Sequence, residues 1–458
     1  MKNKHIMAGF ARVSRSVLTL GIVIHACPQA EAADWFQTQT IAEPSWGAGQ
    51  IMGFVEPAYS VFQNSPTQPF GYTPKADLVS APVNATSGLN TQRIRPILRG
   101  LIDPDISYFL AIEASPSAYT YSFGNYAPRL VDADMTFSNY IPGARIVVGI
   151  IRPPGSEGAS EACLAYNFLD VTPTVINQLA QPNFWVADGH YAQVGNTGGY
   201  SVPGSQLSGN NGFRYPGVEA TDWFELSPTV EVAYGVMVGD YGRQFEAQTS
   251  NGTIASGRLQ ASYLFNGNTG GIFRSDITAF VWYQQSDPTL NGVSNTMIRD
   301  GFGATYRQDY MKTWGRSLKA EYVYGSGNIE APATFQNAPG LAKNQYTTTF
   351  YTGTNNTASG YDISGGLFFT PHLELTVRYD YYDRLPNMAY AGLERQFSNI
   401  GAGLQYHFTP RTKLVIDDFD RRVYIPNKGN LSTVAYTNAT SVVDAVGNEF
   451  DIWANIAF

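Results

Sequence analysis

The sequence predicts an all-β fold: a transmembrane antiparallel β-barrel of about 16 strands, with short periplasmic turns and long external loops. Three observations predict it. Runs of apolar–polar alternation recur along the chain, tight turns alternate with long connections, and the composition is rich in aromatics yet poor in charge. Charged residues make up 14% of the 458 residues and aromatics another 14%, where an ordinary soluble domain carries roughly 25% charged residues. The mean hydropathy of −0.18 is too low for a bundle of membrane helices. A barrel accounts for it, because only every second strand residue faces lipid.

The N-terminus reads as a secretory signal, residues 1–32. Lys2, Lys4, Arg12 and Arg15 precede the short apolar run Val17 to Ile24, and Ala30-Glu31-Ala32 supplies a small-x-small cleavage pattern near Ala32. That run falls well short of the roughly 20 residues a spanning helix needs. Cys27 offers an alternative lipoprotein site, although His25 stands where a small residue is expected. Loss of residues 1–32 takes four basic residues and Glu31 with it, moving the formal charge from −8 to about −11. An acidic exported chain is not a nucleic-acid binder on this evidence. The barrel is expected to occupy 33–458.

Alternation carries the strand assignment. Leu373, Leu375, Val377, Tyr379 and Tyr381 alternate with Glu374, Thr376, Arg378 and Asp380. Ile400, Ala402, Leu404, Tyr406 and Phe408 alternate with Asn399, Gly401, Gly403, Gln405 and His407, and similar runs surround Val232 and Leu259. Period two places one set on each face of a strand. A soluble sandwich also alternates. Run lengths of about 9–13 residues suit tilted spanning strands, and Tyr and Phe near their ends suit interfacial girdles. Sixteen segments start near 50, 92, 106, 129, 144, 218, 229, 256, 272, 297, 316, 360, 373, 397, 411 and 449.

The connections make a second argument. Asp103-Pro104-Asp105, Ile141-Pro142-Gly143, Ser227-Pro228, Thr370-Pro371-His372 and Thr409-Pro410-Arg411 are tight turns. They alternate with long links at 64–91, 326–359 and 424–448, the asymmetry of an outer-membrane barrel. The longest connection, 153–217, is expected either to fold into the lumen as a constriction or to extend outward as a surface loop, with short helix around Val175 to Leu179. The last segment alternates Phe450, Ile452, Ala454, Ile456 and Phe458 with Asp451, Trp453 and Asn455. A chain ending on Phe458 carries the terminal pattern of an assembly signal read by the outer-membrane insertion machinery.

Arg93-Ile94-Arg95-Pro96-Ile97-Leu98-Arg99-Gly100, Ile106 to Leu110, Leu130 to Ala133, and Arg145-Ile146-Val147-Val148-Gly149 with Arg152-Pro153-Pro154 and Glu157 resemble the phosphate-selective porin O/P family. The resemblance covers about a seventh of the chain. Pro154 is not followed by Phe, and Arg152 stands where lysine is usual, so phosphate selectivity is not inherited. The resemblance implies a 16-stranded channel, a homotrimer; as an outer-membrane barrel the chain is expected to contact the lipid bilayer and lipopolysaccharide.

If the apolar set faces lipid, parity turns Arg93, Arg95, Arg99, Arg145, Arg258, Arg274, Arg299, Arg307 and Arg378 inward. It does the same for Glu113, Asp132, Asp134, Glu231, Asp276, Glu321, Glu374, Asp380 and Asp417. The cost of Arg on the lipid face at mid-depth, about 2–4 kcal/mol, enforces this. Arg93, Arg95 and Arg99 are candidates for a stepped anion path; an equal number of inward carboxylates argues for weak selectivity. The expected function is passive diffusion of ions and small hydrophilic solutes through an outer-membrane porin, with no cofactor and no catalysis. The five histidines lack motif neighbours, and no CxxCH, CxxC or HExxH pattern occurs. The alternatives are a barrel enzyme, the sheath of a porin–cytochrome electron conduit with haem from a partner protein, and a plugged structural barrel.

Overall fold

In the computed structural model, the structure describes residues 47–63, 87–115, 121–122, 125–126, 128–161, 166–169, 173–180, 183–185, 192–194, 199–203, 207–210, 213–241, 252–265, 274–290, 293–334, 347–431 and 447–458. The expected signal segment, 1–32, lies outside them.

Alternation resolves into sixteen strands. They are β1 (Gln50–Phe62), β2 (Gly88–Asp103), β3 (Ile106–Glu113), β4 (Arg129–Ile141), β5 (Ala144–Ile151), β6 (Tyr215–Ser227), β7 (Val230–Asp240) and β8 (Thr253–Leu264). The second eight are β9 (Asp276–Ser286), β10 (Met297–Gln308), β11 (Arg316–Ser326), β12 (Thr357–Phe368), β13 (Leu373–Arg384), β14 (Arg395–Thr409), β15 (Thr412–Tyr424) and β16 (Glu449–Ala457). Each pairs antiparallel with the next, and β1 pairs with β16, from Phe54↔Ala457 to Phe62↔Glu449, so the sheet closes. Every expected start lies within four residues of an observed one. No helix among the described residues is long and apolar enough to cross a membrane.

Local chemistry explains the breaks. Pro57 cannot donate to the ladder, and the β1–β2 register shifts between Glu56 and Pro57. Gly143, at φ +72°, lets the Pro142-Gly143 turn reverse the chain between β4 and β5. At the seam, Gly53 N–H donates to Phe458 O at 3.0 Å and Phe458 N–H returns a bond to Gly53 O at 2.9 Å. A side chain at Gly53 would meet the Phe458 ring at 2.9 Å. Phe458 thereby staples the last strand to the first.

All the expected tight turns fall at the end of the barrel where the seam closes, and the long connections fall at the other. Parts of the long connections pair with one another: Gly199–Pro203 lies between Ala192–Val194 and Thr347–Tyr351, which in turn pairs with Ile329–Thr334.

Candidate functional site: the barrel interior

The outward parity is apolar. Val236, Val238, Leu259, Val281, Phe302, Val377 and Ile400 are exposed large hydrophobics. The opposite parity carries most of the charges of the strands, and nearly all of those are buried. Every inward residue named from the sequence lies on this parity, and their partners divide the wall into two regions.

On β1–β6 most of the inward charges satisfy one another. Arg93 Nη1 donates to Glu56 Oε2 at 2.6 Å, and Asn455 Nδ2 donates to the other Glu56 oxygen at 2.9 Å. Arg95 Nε donates to Glu113 Oε2 at 2.6 Å, and the other Glu113 oxygen accepts from the Ile94 and Ser115 backbone N–H and the Ser115 hydroxyl. Arg99 Nε donates to the neutral Gln50 side chain at 3.0 Å. Asp132 takes a two-pronged contact from Arg214, at 2.9 and 3.0 Å. Arg145 stacks on Trp223, 3.8 Å from its centroid, and lies 3.6 Å from Asp222. Asp134 is buried near Asp132 and Glu219, and one of its oxygens has no hydrogen bond among the described residues.

From β8 to β15 many inward groups instead hold the chain segment that follows β5, while Arg274 with Glu231 and Asp276, Glu374 with His407, and Arg421 with Glu449 still pair across the wall. Ser256 Oγ donates to Pro154 O, and Arg258 donates to Gly155 O at 2.9 Å and to Glu157 at 2.6 Å. Glu321 accepts from the Ser156 hydroxyl, from Glu157 and Gly158 N–H, and from Trp282 Nε1. It thus caps a single helical turn, α1 (Glu157–Ser160). Lys319 pairs with Glu161 at 3.0 Å. Farther along, Lys413 donates to Tyr166 O, Gln405 to Asn167 O, and Asp417 accepts from Leu169 N–H. Arg378, 3.3 Å from Asp380, lies over the rings of both Phe168 and Phe419. Asp380 accepts from Thr174 N–H at the start of α2 (Thr174–Ala180). Val175, Ile176 and Leu179 of α2 bury against Val323, Ala358, Tyr382 and Phe397. Arg299, 1% exposed, donates to Leu179 O and to four more carbonyls at 298 and 326–328.

These contacts can be made only from within the barrel, so the described part of 152–180 lies inside it. Arg152 joins the two regions: it donates to Ala159 O and Glu161 O while lying near Asp132, Arg214 and Arg95. Burial, and then the Arg214 charge, push its guanidinium down to about 9.

Sequence reading missed Glu56, Arg214, Lys319, Lys413 and Asp362 as interior groups. The signal was present for Lys319 and Asp362, which alternate with outward Leu318, Tyr361 and Ile363. Glu56 and Arg214 had none, since Pro57 breaks the period and Arg214 precedes its strand. Asp362, fully buried, has neither oxygen hydrogen-bonded among the described residues. No group of three or more His, Cys, Asp or Glu among the described residues is placed to hold a metal ion.

No protein-family model matches the sequence, and no curated protein does. Solved structures match in shape. An anion-selective porin from Comamonas acidovorans aligns with a TM-score of 0.51 and 12% identity, over 90% of this chain and 99% of that one. OmpF of Salmonella typhi, solved with daunomycin, aligns at 0.50 and 12%, over 91% and 100%. At such identity the likeness is one of fold: a closed sixteen-stranded antiparallel barrel.

Proposed function

We propose that the chain is an outer-membrane porin, a homotrimer whose barrels pass ions and small hydrophilic solutes by diffusion past the segment 152–180. One observation carries this reading: a closed barrel with an apolar outside and a charged inside, narrowed by its own chain. A wall of that kind excludes lipid from the interior and admits water to it. The solved porins of the same fold support the class and the location.

The pore-lining set in this reading is Arg93, Arg95, Arg99, Arg145, Arg258, Arg378, Asp132, Asp134 and Glu113. Because Arg93 and Arg95 face carboxylates at 2.6 Å, their field is largely offset, and the expected anion preference is weak. Purified protein in planar bilayers should show discrete conductance steps and, in a salt gradient, a small reversal potential of the sign for anions. A folded barrel that never conducts would refute the channel. The chain's own segment takes up interior space that a partner cytochrome would need, which disfavours the conduit reading; haem co-purifying with the protein would reverse that judgement.

A further inference from the structure

Among the described residues, every buried arginine but one finds an acceptor. Arg152 and Arg299 donate to backbone carbonyls, and Arg214, Arg258, Arg274, Arg378 and Arg421 each face a carboxylate. Arg384, at the end of β13 and 3% exposed, has neither a hydrogen bond nor an ion pair among the described residues. Its Nε and Nη1, which carry three of the five guanidinium N–H groups, are buried and unbonded. Directly opposite it in the β13–β14 register stands a second guanidinium, Arg395, which donates to the carbonyls of Gly392 and Glu394. Like charges in that position repel.

An orphaned charge of this sign has no escape. Asp362 and Asp451 are also buried with both oxygens unbonded, but a carboxyl can take up a proton and cease to be a charge. A guanidinium stays charged at any pH a folded protein meets, and burying it uncompensated is strongly unfavourable. Water satisfies its N–H groups without neutralising it. Nearby carboxylates do not close the gap. Glu394 is held by Gln396 and Asn427, Asp383 points to the other face of the strand, and the charge of Glu330 reaches Arg384 without a contact. The remaining surroundings are a ring and donors. Phe397 lies 5.2 Å from the guanidinium, Tyr382 is buried two positions back on the same face, and the charges of both arginines reach buried Tyr351. Apolar Ile329, Leu385 and Met388 pack around these rings.

We propose that Arg384 and Arg395, with the phenols of Tyr351 and Tyr382, bind one small oxyanion, a carboxylate or a phosphate. Permanent positive charge, N–H and O–H donors and an apolar surround are what such a group needs to leave water. Arg384 belongs to the wall, whereas Tyr351 belongs to the small sheet built from the long connections. The bound anion therefore ties that sheet to β13. The site lies apart from the Arg93, Arg95 and Arg99 wall, and it is independent of whether the barrel conducts.

Thermal unfolding of the purified barrel in detergent tests it, at fixed pH and ionic strength, with chloride, acetate or inorganic phosphate as the anion. The unfolding temperature should rise saturably with acetate or phosphate and not with chloride, and the two arms decide which oxyanion fits. Arg384→Met should weaken that response by about 10–100-fold, the loss of one charge-assisted partner. In chloride the same variant should unfold at a higher temperature than the unsubstituted chain, because an apolar side chain replaces an uncompensated charge. Lys312→Ala, which also removes one positive charge, should keep the response. Equal behaviour in all three anions overturns the site, as does an oxyanion response that Arg384→Met retains in full. Should Arg384→Met fail to fold, Glu330→Gln carries the test: with that competing charge gone, oxyanion should bind more tightly. A Glu330→Gln barrel that is less stable in chloride and responds no better to oxyanion makes Glu330 the counter-ion and overturns the proposal.

Discussion

On β1–β6 the inward charges pair across the wall, Arg93 with Glu56, Arg95 with Glu113 and Arg214 with Asp132. On β8–β15, charges of the same parity reach into the interior and hold backbone and side chains of 153–180, through Arg258, Glu321, Lys319, Lys413, Asp417 and Asp380. Parity alone sent both sets inward. The difference lies in what each meets: on one side another strand, on the other a chain segment whose carbonyls and N–H groups need partners once buried. The first set braces the wall through its own ion pairs and touches the loop only lightly, as where Arg93 lies 5.1 Å from the Tyr166 ring. The second fixes where the loop lies, and so how wide the remaining passage is.

The largest expected effect breaks the bracing side. Asp132→Ala strips Arg214, itself 2% exposed, of its two-pronged acceptor, and removing one partner of a buried pair costs about 3–5 kcal/mol. Denaturant unfolding in detergent, followed by tryptophan fluorescence, should show the loss. Asp132→Leu with Arg214→Met should recover most of it, and single-channel conductance should hardly move in the double variant. A double variant as unstable as the single one would mean that the pair is not the source.

Next comes the tethering side. Glu321→Ala orphans four donors at once, in α1 and Trp282. Each unmade buried bond costs about 1–3 kcal/mol, but water can reach a released segment, so a net loss of about 2 kcal/mol is expected. The discriminating readout is conductance, which should rise as α1 leaves the β11 wall. An unchanged conductance with lowered stability would show that the segment stays put on the apolar contacts of α2. On the opposite wall, neutralising Arg93, Arg95 and Arg99 together to Gln should reduce the reversal potential without a comparable change in conductance; an unaltered ion preference would end the stepped anion path.

How much of this was legible follows from period two. Strand positions were, because lipid forces every second residue to be apolar; β13 and β14 could be read residue by residue. Expected starts near 218, 256 and 360 came late by three residues, where strands run past the lipid and lose the constraint. The partition of the interior was not legible. Nothing near Glu321 marks it as a helix cap rather than a pore charge, since its partners sit 163 to 165 positions away. Likewise the choice between an inward and an outward course for 153–217 depended on contacts of that range. The outward charges of β15 were legible and were not read: Asp417-Asp418 and Arg421-Arg422 are adjacent pairs, and adjacent strand residues must point to opposite faces.

The smallest expected effect sets the scale for both regions. Lys312 pairs with Asp309 at 2.7 Å in the turn between β10 and β11, within 0.1 Å of the Arg95–Glu113 distance, yet its side chain is 70% exposed. Water already solvates both charges there, so Lys312→Ala should cost no more than about 0.2–1 kcal/mol and leave conductance alone. The same unfolding measurement that reads Asp132→Ala reads this one. If the two losses were similar, burial would not be what makes the interior pairs strong, and the contrast between bracing wall and tethering wall would lose its physical basis. A several-fold difference, with short distances common to both, assigns the strength to desolvation rather than to geometry.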